Sequence, residues 1–221
     1  YEARYEYVSN IIKSGINYAN CVFIDEAGFN INLHRSSGWA EKGKTPVVVT
    51  PSTRAVNRSV LGAVCFDGVV KLSLRKPNDT TQNKKRKADG QPGANVAKGT
   101  VTAHYKQFLV DIMNVLDDYE QYKNAYLVMD NAPIHTNMSI KRIIEARGYK
   151  CLYLPPFSPE LNPIEQFWFL LKQHIKREPM SKDTLSLRIK DASNLIPVQH
   201  IQNSIQHSIN CFQTCLDKKP L

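Results

Sequence analysis

Two short apolar runs constrain this chain more than any other feature. Residues 21–24 (CVFI) and 125–129 (AYLVM) are each followed directly by an aspartate, Asp25 and Asp130. Runs of that length, bounded by polar residues, suit buried strands better than helices. Buried strands need a cover, and the surrounding pattern supplies helices to pack on a sheet.

Residues 1–20 carry Tyr5, Val8, Ile11 and Ile12 at helical spacing, with Gly15 as a stop signal. The first aspartate is followed by a polar, turn-rich ribbon over 30–44 and a short β-branched stretch over 46–50. Residues 58–66 and 69–74 read as a hairpin about Asp67-Gly68. A helical stripe runs from Val101 to Leu116, with Thr102 placed to cap it. A helix is expected over 138–147, stopped by Gly148, and a strand over 150–154. The four prolines of LPPFSPELNP exclude regular structure there. Pro163 then sits at the favoured start of a helix over 164–177, and residues 181–216 read as further helices interrupted near Pro197. The order describes a mixed α/β domain.

The charge balance is +9, from 29 basic and 20 acidic residues. That makes a polyanion a natural partner. Residues 77–100 almost lack large apolar side chains, and six basic residues from Lys76 to Lys98 stand against two acidic ones. The segment reads as a long exposed loop. Lys84, Lys85, Arg86 and Lys87 suit a flexible arm on phosphates, a nuclear-localisation patch, or a solvated loop. No stretch approaches the length of a membrane span, and the odd count of five cysteines fits free thiols better than a disulfide framework. Cys211 and Cys215, with His200 and His207 nearby, read as thiols on one helix face rather than zinc ligands. The chain begins with Tyr1, so it reads as an excised domain.

A strand-end aspartate lies where ligands bind in open α/β sheets. A third acid, Glu165, sits in the first turn of the helix after the proline-rich loop. Two aspartates and a glutamate at one spot repel each other and require cations. All-oxygen ligation selects hard ions such as magnesium or manganese. Such clusters serve phosphodiester cleavage or transfer with two metals. Each acid alone also has an ordinary reading, as a turn residue or as dipole compensation. Glu26 points to the opposite strand face and reads as structural or supporting.

VFIDEAGF, VMDNAPIH and LPPFSPELNPIEQFWFLLK together resemble the mariner-type DDE transposases, which are related to bacterial insertion-sequence transposases. The resemblance runs from about Cys21 to Arg177. Between Asp130 and Glu165 lie 34 residues, the spacing of one major branch, and GWAEKGKTP resembles the family's Trp-Gly ribbon. The resemblance implies an RNase H-like mixed sheet flanked by helices. It implies that Asp25, Asp130 and Glu165 are the catalytic, metal-binding triad, holding two magnesium or manganese ions. It further implies cleavage at transposon ends and joining of the freed 3′-hydroxyl to target DNA. Asn131 and His135 stand beside Asp130 as candidate supporting residues; His135 reads either as a proton relay or DNA contact or, more readily, as a residue that holds its own loop by hydrogen bonds. Lys172, Lys176 and Arg177 follow Glu165, where they either hold the DNA backbone or form a solvated helix face.

The expected organisation is a linker helix (1–20), a catalytic domain (21–180) with a flexible basic insertion at about 77–100, and a C-terminal helical extension (181–221). The expected partner is double-stranded DNA, with a homodimer in the full-length protein, no membrane, and a nuclear location if the source is eukaryotic, cytoplasmic otherwise. The competing readings are a transposase-derived DNA-binding protein without catalysis and an RNase H-like nuclease of another kind.

Overall fold

The computed structural model describes residues 1–30, 32–33, 38–47, 58–74, 97–132, 135–176 and 185–221, without side-chain detail for 97–102. Five strands, β1 (Val22–Phe29), β2 (Arg58–Cys65), β3 (Gly68–Leu74), β4 (Tyr126–Met129) and β5 (Lys150–Tyr153), form one sheet in the order β3-β2-β1-β4-β5. The β2–β3 hairpin and the β1–β2 pair are antiparallel, whereas β4 runs parallel to β1 and β5 parallel to β4. Parallel neighbours need a crossover. Helix α3 (Met138–Ala146) provides it between β4 and β5, and the longer α2 (Ala97–Leu116) lies on the path from β3 to β4.

Helices cover both faces. Side chains alternate along each strand, so one strand feeds two cores. Phe23, Ala27, Phe29, Val60, Val64 and Val128 face a core shared with α1 (Glu2–Lys13), α4 (Pro163–Ile175), α5 (Leu185–Asn194) and α6 (Val198–Leu216). Ile24, Leu61, Ala63, Leu127 and Met129 face the core shared with α2 and α3. By the same parity Asp25, Gly62 and Asp130 belong to the face that α4 covers. Glu26 belongs to the other and is exposed.

Several boundaries differ from the sequence-based expectation. The first strand does not end at Asp25 but continues to Phe29. Beyond β4 the antiparallel partner β2 still supplies hydrogen bonds, with Asp25 opposite Gly62 and Phe29 opposite Arg58. Helix α2 begins at Ala97, so Thr102 lies inside the helix and is no cap. A helix is nucleated by backbone hydrogen bonds, and its first turn does not require large apolar side chains. Helix α1 ends at Lys13, ahead of Gly15 at φ +62°. Residues 46–47 carry no strand, and 48–50 lie outside the described residues, as does most of the basic segment, 75–96. Inside the proline-rich loop, Pro159–Leu161 form one 3-10 turn. Among the described residues no helix is long and apolar enough to cross a membrane.

Candidate active site

Asp25, Asp130 and Glu165 line one open cleft of about 370 Å³. Each arrives by a different device. Asp25 sits mid-strand in β1, at the point where parallel pairing with β4 has ended. Asp130 follows β4 directly. Glu165 stands in the first turn of α4, whose start is set by Pro163 and anchored by the buried Ile164. The loop leading to it forms the far wall through Pro155, Pro156, Ser158 and Pro159. That loop is tied down at both ends. Leu154 N donates to Met129 O at 2.8 Å, Ser208 Oγ donates to Glu160 O at 2.7 Å, and the Tyr18 hydroxyl donates to Leu161 O.

The half-buried Asp25 carries the main electrostatic signature. Its carboxyl is pushed up to about 7, first by loss of solvent and next by the negative charge of Glu165, with Asp130 adding to it. Two donors act the other way: the backbone N–H of Glu26, and the indole Nε1 of Trp168, which donates to Asp25 Oδ2 at 3.2 Å. Trp168 lies three residues after Glu165 and is 2% exposed. One helical turn therefore presents Glu165 to the cleft and a donor to Asp25. Gly62, directly across the β1–β2 ladder from Asp25, makes room for that ring. A Cβ on Gly62 would lie 2.4 Å from Trp168 Cη2.

Asp130 has the opposite environment. His135 Nδ1 and Asp130 Oδ1 share a hydrogen bond, which holds this carboxyl below the usual range, and Ala132 N donates to the same oxygen at 3.3 Å. His135 is buried, and its ring stacks on Tyr105 from α2 at 4.4 Å between centroids. The Tyr153 hydroxyl donates to the His135 carbonyl at 3.1 Å. The imidazole thus comes pre-oriented toward Asp130, and its loop is held by the same residue.

The cleft also includes Asn131, but neither Lys172 nor Lys176 lines it. Lys172 stands over the Phe29 ring at 5.5 Å. Lys84, Lys85, Arg86, Lys87 and Arg177 lie outside the described residues. Trp168, Tyr105 and Gly62 were legible only as core or strand positions. The available signals were an aromatic one turn after Glu165 and a glycine inside a β-branched strand.

Among the described residues no three His, Cys, Asp or Glu side chains are gathered tightly enough, as they stand, to ligate one ion. The donor set nevertheless suits a hard divalent cation. Three carboxylates face one cleft, and none of its described lining residues is Lys or Arg. His207 Nε2 and Cys211 Sγ are 4.0 Å apart, and Cys215 is buried.

Residues 89–188 match the family model described as DDE superfamily endonuclease. That span holds Asp130 and Glu165; Asp25 precedes it and is joined to them by the geometry of the cleft. The Tcb2 transposable-element transposase of Caenorhabditis briggsae is 31% identical over 91 residues, which are 41% of this chain and 33% of that protein. The catalytic domain of Mos1 mariner transposase superposes with a TM-score of 0.67 at 16% identity, over all of this chain and 92% of that one. The Mos1 paired-end complex with the left transposon end gives 0.73 at 16% identity, over 98% of this chain and 61% of that one. The five-stranded mixed sheet with helices on both faces is thereby the RNase H-like fold of that domain. The expected resemblance is borne out: residues 89–188 match the DDE superfamily endonuclease model, a stretch of 91 residues is similar to the Tcb2 transposase, and the chain shares the fold of the Mos1 mariner transposase catalytic domain.

Proposed function

We propose that this chain is the catalytic domain of a DNA transposase, hydrolysing phosphodiester bonds at transposon ends and joining the freed 3′-hydroxyl to target DNA. The observation that carries this reading is the convergence of Asp25, Asp130 and Glu165, from three separate elements, on one cleft without a described basic side chain. Asp25, Asp130 and Glu165 would hold two magnesium or manganese ions. Mos1 structures with manganese and with magnesium support a divalent cation on this fold, and the Mos1 strand transfer complex supports the joining step. The cations, when bound, neutralise the phosphodiester and activate the attacking water or 3′-hydroxyl.

The chain's own residues do the positioning. Trp168 fixes Oδ2 of Asp25 from the helix that carries Glu165. His135 orients Asp130 and keeps it ionised, as an outer partner of a metal-binding carboxylate does. The stiff proline-rich loop sets where Glu165 enters. Sequence-specific recognition of ends and homodimer formation belong to the whole protein on this reading. The test is strand cleavage of a supercoiled plasmid in magnesium or manganese, with chelator as control. Metal-dependent nicks bearing 3′-hydroxyl ends are expected; intact plasmid in both metals would leave a DNA-binding protein without catalysis.

A further inference from the structure

Phe157 is held in a conformation that its side chain disfavours, and its ring is left in water. Its φ is +54°, in the left-handed region, where a bulky L-residue is an outlier and glycine or asparagine is the usual occupant. Its side chain is 92% exposed, although burying an aromatic ring is among the larger gains a fold can make. Two unfavourable features coincide at one residue, and neither stabilises the folded chain. Such a position persists only where its surroundings over-determine it. Here they do. Arg4, from α1, donates through Nη2 to the Phe157 carbonyl at 2.5 Å and through Nε to Ser158 Oγ at 2.9 Å. Ser158 Oγ in turn donates to Pro156 O at 3.1 Å, and Ser158 is buried. A cation from a distant helix thus clamps the turn that presents the ring.

The place of the ring decides what it serves. Phe157 lines the same cleft as Asp25, Asp130 and Glu165. Phosphate oxygens approaching those acids bring their bases with them. A flat, rigid, uncharged face at the edge of an acidic cleft complements a base and cannot complement a phosphate. Duplex bases are already stacked, so an aromatic face gains most from a base that has left its stack. We infer that Phe157 is a stacking platform for an unpaired nucleotide base beside the scissile phosphodiester, an assignment that rests on the DNA-processing reading of the cleft.

The test uses the whole chain in magnesium buffer with two fluorescent probes, a short oligothymidylate and a blunt duplex of the same length. Stacking on one aromatic side chain corresponds to about 5- to 150-fold in affinity. Phe157→Ala should weaken oligothymidylate binding by that range and leave duplex binding nearly unchanged, whereas Phe157→Trp should keep both. An oligothymidylate carrying 5-iodouracil should photo-cross-link to Phe157, as mapped by mass spectrometry. Equal single-strand affinity of wild type and Phe157→Ala, no measurable single-strand binding by wild type, or cross-links confined to other residues would each overturn the assignment. A change in self-association without a change in strand binding would overturn it too, because the ring would then serve a second copy of the chain. Plasmid cleavage is scored separately in the same buffer. Phe157-dependent strand binding without cleavage removes the catalytic reading and overturns the ring's place beside a scissile bond while keeping it as a base platform, and plasmid cleavage with single-strand binding that does not depend on Phe157 keeps the catalytic reading and removes the platform.

Discussion

Trp168 donates its indole N–H to Asp25 Oδ2 at 3.2 Å, from the same helix that brings Glu165 to the cleft. Two of the three acids are therefore positioned by one rigid element. A displacement of α4 moves Glu165 and releases Asp25 together. Trp168→Phe keeps an aromatic in the core and removes the donor. The expected result is a folded protein whose cleavage rate falls about 10- to 100-fold, the range for outer partners of metal ligands. Steady-state nicking rates beside a melting curve check it, and an unchanged rate would mean that the bond does not position Asp25.

Gly62 tests the same relationship from the other side. Its missing Cβ is the space that Trp168 occupies. Gly62→Ala should overpack the site and destabilise the fold by about 1–3 kcal/mol. Trp168→Leu added to Gly62→Ala should recover part of that stability, because the clashing atoms are gone, but no cleavage, because the donor is gone too. Denaturant titration and nicking assays on the single and double variants separate the two effects.

Asp25 also gives a pH signature in metal-free protein. Its folded-state value of about 7 stands above the ordinary aspartate value of about 3.9. Between those values the folded state holds a proton that the unfolded state has lost. Stability from this group therefore falls as pH rises through that window and levels off above about 7. Asp25→Asn removes the effect, which is on the order of 2–4 kcal/mol, or roughly 5–15 °C in Tm. The variant should melt above wild type near neutral and alkaline pH and level with it in acid below about pH 4. Asp130 works in the opposite sense: its lowered value stabilises the fold above the ordinary carboxylate range and is lost only in stronger acid. Melting curves across pH, in chelator, show which sign prevails at each end.

His135→Phe keeps an aromatic ring against Tyr105 and removes the bond to Asp130. A fold that melts near wild type, with cleavage reduced about 10- to 100-fold, is expected. A protein that melts early with an unchanged rate per folded molecule would show that His135 serves only its loop.

Much of this was legible in the chain. The two apolar runs, the hairpin about Asp67-Gly68 and the proline-started helix all appear as read, because short buried strands and helix starts leave local chemical signatures. The continuation of β1 past Asp25 was not legible, because the partner that sustains it, β2, lies far away in sequence, as in the pairing of Phe29 with Arg58. Trp168 and Tyr105 carry the apolar character that any core position carries. Their roles arise from the elements they meet, Asp25 on β1 and His135 after β4, and no local pattern records that meeting.

The most direct measurement compares plasmid nicking by wild type with that of Asp25→Ala, Asp130→Ala and Glu165→Ala in magnesium, alongside their melting curves. Asp25→Ala should remain folded, since removing it relieves like-charge repulsion and burial of a carboxylate, Glu165→Ala should remain folded for the same like-charge reason, Asp130→Ala should fold with a lower melting temperature because the His135 bond is lost, and none should cleave above the chelator control. Wild-type cleavage by folded Asp130→Ala would contradict the assignment of these acids as one metal-dependent site.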